Sequence, residues 1–144
     1  MKRPAGLTVI AALMLLTAVG TLLFWAVFFA DLEAQRASYL ASRSPCWFAW
    51  ELSFPLADGW MALTALLAAV GLWRRRPAGL LCGLVSGGAM VFLGLMDILF
   101  FLQNGLYLPL NAEVILELFI HLWVVALGLC AIACIWGQRA RLGC

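Results

Sequence analysis

Long apolar stretches separated by short polar segments dominate the chain. Four of these stretches are long enough to cross the hydrocarbon layer of a membrane as helices, since about 20 helical residues span about 30 Å. The polar segments between them contain Pro, Gly and Asn, which favour turns and helix ends. The pattern predicts an all-α, four-helix transmembrane bundle forming a single domain over residues 1–144, with spans at about residues 7–29, 55–73, 79–103 and 114–136.

The composition agrees with this pattern. Hydrophobic residues make up 66% of the 144 residues and charged residues 11%. A soluble domain of this length needs more polar surface to cover its core. The first apolar stretch is longer than the core of a secretory signal, so we expect it to be retained as a span. We therefore expect membrane lipid, and no nucleic acid, as the surroundings and partner of this chain.

Basic residues predict the orientation of the bundle, because loops rich in Lys and Arg stay on the cytoplasmic side. Most of them lie before the first span, between the second and third spans, or after the fourth span. Only Arg36 and Arg43 lie on the opposite side. We expect both termini to be cytoplasmic. The basic residues on the predicted cytoplasmic side are Lys2, Arg3, Arg74, Arg75, Arg76, Arg139 and Arg141.

The acidic residues lie on the other side. All seven fall in the predicted outer loops or in the outer half of a span, and the positive-inside rule does not explain this, since acids contribute weakly to topology. At about 1.5 Å per residue, Asp97 and His121 lie about two turns below the outer surface. The acids are Asp31, Glu33, Glu51, Asp58, Asp97, Glu113 and Glu117.

Helical spacing predicts which way these groups face. In each span, small residues share a face with an ionisable group, and small residues mark close helix contact in membranes. In the third span this face holds Gly79, Gly83, Ser86, Met90, Gly94 and Asp97, opposite Leu81, Leu84, Leu95, Ile98 and Leu99. The corresponding faces of the other spans hold Thr17, Thr21 and Asp31; Asp58, Ala62, Ala65 and Ala69; and Glu117, His121, Gly128 and Ala131.

These faces predict an outward-opening acidic pocket inside the bundle. Ionisable groups within a membrane are rare and mark functional sites by default. The alternative is that they only join the helices through hydrogen bonds worth about 1 kcal/mol each. The predicted ligand-binding residues are Asp31, Glu51, Asp58, Trp60, Asp97, Glu117 and His121. Trp123 is a second candidate for the pocket wall, and the other outer tryptophans, Trp25, Trp47 and Trp50, are typical of an interfacial belt.

Metal and thiol chemistry have weaker support. Glu113, Glu117 and His121 are spaced by four residues, but bundle metal sites pair several histidines and this chain has one. We therefore expect no metal and no cofactor. Quinone-linked thiol oxidoreductases need a Cys-x-x-Cys pair near the outer surface, and the sequence contains none, since Cys46 lies alone on that side.

Two family resemblances add expectations. The stretches "WELSFPLADGWMAL", "GLWRRRPAGLL" and "GLMDILFFLQNGLY" resemble a group of four-helix bacterial inner-membrane proteins with no assigned function, which implies an inner (plasma) membrane location. The shorter stretches "FFADLEA" and "WELSFPL" are similar to the EXPERA group of sterol-binding and sterol-isomerase proteins. That resemblance implies roles in proton transfer for Asp31, Glu51 and His121.

The function expected from these features is the binding of a cationic or amphiphilic small molecule or a lipid. A membrane-embedded isomerase is an alternative, with His121 or Glu117 as the catalytic acid or base, because an imidazole beside a carboxylate can be tuned toward neutral pH. A proton-coupled carrier and an accessory subunit of a membrane complex, with a copy of this chain or another membrane protein as partner, are two further alternatives.

Overall fold

A computed structural model describes residues 5–42 and 45–142 of the chain. Over these ranges the protein is helical and has no β-strand. The six α-helices are α1 (Ala5–Ala30), α2 (Leu32–Ser42), α3 (Pro45–Glu51), α4 (Pro55–Trp73), α5 (Pro77–Gln103) and α6 (Ala112–Gly137), and a short 3-10 helix follows at Arg139–Leu142.

The helices α1, α4, α5 and α6 are each long and apolar enough to cross a membrane. Their ends lie within two residues of the predicted spans. Pro55 and Pro77 occupy the first positions of α4 and α5, where a proline fixes a helical φ and its missing N–H costs nothing. Asn111 caps α6 by accepting a hydrogen bond from the Val114 amide. The prediction of four apolar helices in an all-α protein is confirmed.

The four long helices pack in the order α1, α4, α5, α6, and α6 returns to α1 with the loosest packing of the four neighbouring pairs. Successive long helices run antiparallel. One end of the bundle carries Arg74, Arg75, Arg76 and Arg139, and we call it the basic end. At the opposite end, the acidic end, α1 and α5 finish and α4 and α6 begin.

Glycines allow the closest approaches between the helices. A Cβ atom on Gly71 would lie 2.5 Å from the backbone of Gly79, where α4 and α5 meet at the basic end. At the middle of the bundle, a Cβ atom on Gly128 would lie 2.7 Å from the carbonyl oxygen of Gly87. Side chains at these positions would separate the helices, so the predicted small-residue faces do mark the contacts between them. Leu84, expected on the opposite face of α5, is instead partly buried against the core.

The basic half of the bundle has a tightly packed core. Small and flexible apolar side chains fill it, and several have no exposed surface. Ser86 is buried among them and donates a hydrogen bond to the carbonyl oxygen of Met61 at 3.2 Å. The fully buried apolar residues include Ala11, Met14, Ala65, Ala69, Ala131 and Ile135.

The long connection between α1 and α4 forms the helices α2 and α3, which lie across the acidic end. Their aromatic side chains pack onto the bundle: Tyr39 contacts Phe28 of α1, and Trp47 contacts Phe101 of α5 edge to face. Trp47 is only 1% exposed and Trp25 is also buried. The expectation that these two tryptophans form a lipid-facing belt is therefore wrong, since both pack inside the protein.

Candidate functional site: an acidic cavity at the acidic end of the bundle

A cavity of about 600 Å³ lies in the acidic half of the bundle, a volume in the range of small-molecule sites. All four long helices contribute to its wall, together with Glu51 at the end of α3 and Phe54, which precedes α4. Its polar and aromatic lining consists of Thr17, Thr21, Phe24, Glu51, Phe54, Asp58, Asp97, Phe101, Glu117, Phe119, His121 and Trp123. Its aliphatic lining consists of Leu16, Gly20, Met61, Met90, Leu93, Leu116, Ile120 and Val124.

Four carboxylates and one imidazole line this acidic cavity. Glu51 comes from α3, Asp58 from α4, Asp97 from α5, and Glu117 and His121 from α6. Neither Lys nor Arg is among the lining residues, in the part of the chain that the structure describes. The five predicted site residues named here therefore share one cavity although they come from four different helices.

Asp58 is held by an aromatic residue of the neighbouring helix. The indole Nε1 of Trp25 in α1 donates a hydrogen bond to Asp58 Oδ2 at 2.9 Å. Trp25 is buried and follows Thr17 and Thr21 on the inward face of α1 by further steps of four residues. This hydrogen bond satisfies one oxygen of a half-buried carboxylate, which lowers the cost of keeping it inside the bundle.

The Asp97 carboxylate accepts a hydrogen bond from a tryptophan of α3. Trp50 Nε1 lies 3.4 Å from Asp97 Oδ1 and donates a long hydrogen bond to it. The Trp50 ring stacks on Phe100 of α5, with the ring centroids 4.3 Å apart and the planes nearly parallel. The stacking fixes the indole beside Asp97, so α3 positions one cavity carboxylate and supplies another, Glu51.

His121 is the most buried polar group of the cavity, with 3% of its surface exposed. Its Nδ1 lies 2.9 Å from the hydroxyl of Tyr107, which belongs to the connection between α5 and α6. Its Nε2 faces Glu117 Oε2 at 3.8 Å, one helical turn earlier in α6. Phe101 packs against the imidazole edge to face. These contacts join the connection between α5 and α6 to the cavity through a row of three polar side chains, Tyr107, His121 and Glu117.

Glu51 lies outside the membrane-spanning helices, and its environment changes its protonation. Burial, together with the nearby negative charges of Glu117, Asp97 and Asp58, raises the pKa of Glu51 from 4.5 to about 8. Burial also raises the pKa of the Tyr107 phenol, with smaller effects from Asp97 and Glu117. The acids at this end of the bundle are thus close enough for a charge on one of them to disfavour the ionisation of another.

A hydrogen bond between α1 and α6 forms the floor of the cavity. Trp123 Nε1 donates to Thr17 Oγ1 at 3.0 Å, near the middle of both helices. Met61, Met90 and Val124 close the floor from the other sides. Below them the apolar core of the basic half begins. The cavity is therefore confined to the acidic half.

Two of the predicted site residues do not line the cavity. Asp31 is exposed, and its Oδ1 accepts a hydrogen bond from the Ala34 amide at 3.1 Å, which makes it the N-cap of α2. Trp60 is 57% exposed on α4, on the side of the helix away from the bundle. The expectation that the two residues belong to the pocket is corrected by their placement: α1 ends before Asp31, and Trp60 lies two residues beyond Asp58, about 200° around the helix.

Three residues of the site were not predicted from the sequence: Trp25, Trp50 and Tyr107. The spacing of Trp25 from Thr17 and Thr21 does place it on the inward face of α1, so this signal was present. Trp50 and Tyr107 lie in connections between the spans, where helical spacing gives no information. Glu113, which shares the spacing of Glu117 and His121, is exposed and does not line the cavity.

No protein-family model matches the chain, and no curated protein and no solved structure matches it either.

Proposed function

We propose that this protein is a plasma-membrane protein that binds the cationic group of an amphiphilic small molecule in the acidic cavity. Both termini are assigned to the cytoplasm and the acidic end to the outer side, because the basic end carries Arg74, Arg75, Arg76 and Arg139. The observation that carries the proposal is the lining of the cavity by four carboxylates, with no Lys or Arg among the described residues that line it.

Charge complementarity favours a cation. Carboxylates that face one another in a partly dehydrated space repel, and burial together with that repulsion raises the pKa of Glu51 to about 8. A bound cation would stabilise the ionised carboxylates and displace the proton from Glu51. Its affinity should therefore rise with pH as that proton becomes easier to lose.

The uncharged part of the lining favours an organic cation over a hydrated metal ion. Phe24, Phe101 and Trp123 contribute aromatic surface, and aromatic faces attract ammonium groups. Met61, Met90 and Leu93 supply flexible apolar contacts for a hydrocarbon body. Within the described residues, no three His, Cys, Asp or Glu side chains are grouped closely enough to hold a metal ion.

Binding of a quaternary ammonium amphiphile tests the proposal, because the charge of such a molecule does not depend on pH. Dodecyltrimethylammonium should bind to the purified protein in maltoside micelles and shift the NMR signals of His121, the one histidine of the chain. Dodecyldimethylamine oxide has the same chain and no net charge at neutral pH, so it should bind at least about tenfold more weakly.

Matched variants test whether the carboxylates of the cavity are responsible for binding the charged amphiphile. Asp97→Asn and Asp58→Asn keep the size of the side chain and should each weaken dodecyltrimethylammonium binding by about tenfold. Glu33→Gln removes a charge from the same end of the protein but from an exposed position of α2, so it should leave the affinity unchanged. Equal affinity for the charged and neutral amphiphiles, or equal effects of Asp97→Asn and Glu33→Gln, would contradict the proposal.

Acid-base catalysis on a membrane lipid is a second candidate function, and the row formed by Tyr107, His121 and Glu117 favours it. An imidazole held between a phenol and a carboxylate can take up and release a proton at a substrate in the cavity. An isomerase that moves a proton would exchange hydrogen with solvent. Lipid incubated with the protein in deuterated water should therefore gain deuterium, and His121→Gln should stop this.

The two other functions expected from the sequence, a proton-coupled carrier and an accessory subunit of a membrane complex, stay predictions.

A further inference from the structure

We infer that the ligand of the acidic cavity is a membrane-resident cationic lipid or single-chain amphiphile that enters sideways, between α1 and α6, and leaves its hydrocarbon chain in that opening. This inference rests on the proposed function, because the acidic cavity supplies the site for the headgroup. It adds the route by which the ligand enters and the position of the ligand's hydrocarbon chain.

The loosest side of the bundle provides the opening. Helices α1 and α6 pack less closely than the other neighbouring pairs. Their contacts include one near the basic end, where Gly6 lies beside Cys134, and the hydrogen bond between Trp123 and Thr17 in the middle. Beyond that hydrogen bond, toward the acidic end, residues of both helices line the cavity.

Several cavity residues on these two helices are also exposed on the outer surface of the bundle. Leu16 is 62% exposed and Phe119 is 60% exposed, although both line the cavity. A wall whose side chains face both the cavity and the outside is the rim of an opening. The rim, which we call the portal, consists of Leu16, Gly20, Phe24, Leu116, Phe119 and Ile120.

The portal faces hydrocarbon when the four long helices cross a membrane. Its height along α1, from Leu16 to Phe24, is about 12 Å at about 1.5 Å per residue, which is close to the depth of the acyl region in one leaflet. Its rim is wholly apolar. A hydrocarbon chain can therefore lie in the portal and continue into the surrounding lipid without contacting water.

The route from the aqueous side is more obstructed. Helix α3 lies over the acidic end, and its Trp47 packs against Phe101 of the cavity wall. Three hydrogen bonds join side chains around this end of the cavity: Trp25 to Asp58, Trp50 to Asp97, and Tyr107 to His121. A ligand entering from water would have to separate these groups, whereas a ligand entering through the portal would not.

Two substitutions close the portal without changing the carboxylates. Gly20→Trp adds a large side chain where a Cβ atom would meet no atom within 4 Å, so the fold should tolerate it. Ile120→Trp enlarges a side chain of the portal on the α6 side. Gly88→Trp is the control for the first, since Gly88 is also exposed with open space around it and does not line the cavity. Leu122→Trp, exposed on α6 and outside the lining, is the control for the second.

Binding of dodecyltrimethylammonium to these variants in maltoside micelles gives the first readout, with the shift of the His121 signals as the measure. Both portal variants should weaken binding by about tenfold, while both controls keep the wild-type affinity. Wild-type affinity in Gly20→Trp and Ile120→Trp would show that the hydrocarbon chain does not occupy the portal and would overturn the inference. The two failures are distinguishable: if the proposed function is wrong, wild-type protein itself shows no charge-dependent binding.

The position of the ligand's hydrocarbon chain gives a second readout that does not depend on the portal variants. An alkyltrimethylammonium carrying a nitroxide near the tail should broaden the NMR signals of Ile120 and Leu116 more strongly than those of Leu81 and Leu95, which are exposed on α5 outside the cavity. Equal broadening on both sides of the bundle would mean that the chain does not lie in the portal and would overturn the inference.

Discussion

Trp25 and Asp58 join α1 to α4 at the wall of the acidic cavity, with the indole Nε1 2.9 Å from the carboxylate Oδ2. The two residues are 33 positions apart in the chain. The same arrangement recurs between Trp50 and Asp97, so two of the cavity carboxylates each accept a hydrogen bond from an indole of another helix. Tryptophan is suited to this role because its apolar ring packs in the bundle while its N–H reaches a polar partner.

Trp25→Phe should destabilise the protein, because it removes the donor to Asp58 while keeping an aromatic ring in the core. The loss of a hydrogen bond to a half-buried carboxylate should cost about 1–3 kcal/mol. Thermal unfolding in detergent, followed by circular dichroism, measures the effect. Trp136→Phe is the matched control: Trp136 is exposed near the end of α6, so its replacement should have little effect. Equal destabilisation by the two substitutions would contradict a special role for the hydrogen bond.

Tyr107→Phe should change the state of His121 by removing the hydroxyl that lies 2.9 Å from Nδ1. With the hydroxyl donating to Nδ1, a neutral imidazole carries its proton on Nε2, toward Glu117. We expect the ¹⁵N shifts of wild-type protein to report this tautomer and those of Tyr107→Phe to move toward a mixture of both. Identical ¹⁵N shifts in the two proteins would show that Tyr107 does not set the tautomer.

Glu51 should make the stability of the protein depend on pH. Its pKa is about 8 in the folded protein and 4.5 ordinarily, so the folded state binds the proton more tightly than the unfolded state. The free energy of unfolding should therefore fall as pH rises from about 4.5 to 8, by a few kcal/mol at most. Because Gln cannot ionise, Glu51→Gln should lose less stability over this range.

The midpoint of thermal unfolding, measured for wild type and Glu51→Gln from about pH 5 to about pH 9, checks this expectation. Glu33→Gln is the control for the loss of one carboxyl group, since Glu33 is exposed on α2. Parallel curves for wild type and Glu51→Gln would mean that Glu51 ionises normally in the folded state.

Two adjacent glycines of α5 should respond oppositely to the same substitution. A Cβ atom on Gly87 would lie 2.9 Å from Ile132 and 3.1 Å from the Gly128 carbonyl oxygen, whereas a Cβ atom on Gly88 would meet nothing within 4 Å. Gly87→Leu should separate α5 from α6 and destabilise the protein by about 1–3 kcal/mol or more. Gly88→Leu should be neutral or slightly stabilising, because leucine favours a helix. The yield of folded monomer in detergent and its unfolding temperature measure both.

The orientation of the bundle can be tested with reporters of sidedness. One fused after Cys144 should be active in the cytoplasm, and one inserted at Gly105, in the exposed turn between α5 and α6, should be active outside. The reason is the concentration of arginine at the opposite end of the bundle. The reverse pattern would place the acidic cavity and its portal on the cytoplasmic side.

The four apolar helices and most of the residues on their inward faces could be predicted from the sequence alone. Apolar length is read directly along the chain, and a helix repeats its faces every 3.6 residues, so residues such as Gly83, Asp97 and His121 could be assigned to one side of their own helix. That local periodicity also identified Asp58 and Glu117, which line the cavity.

Which of these groups meet, and which residues hold them in place, depends on how the helices pack against one another. Helical spacing ends where a helix ends, so it could not exclude Asp31, which caps α2, or bring Trp50 and Tyr107 to Asp97 and His121. The gap between α1 and α6 is likewise absent from the sequence pattern. It depends on how closely two whole helices pack, which the residues of either helix alone do not specify.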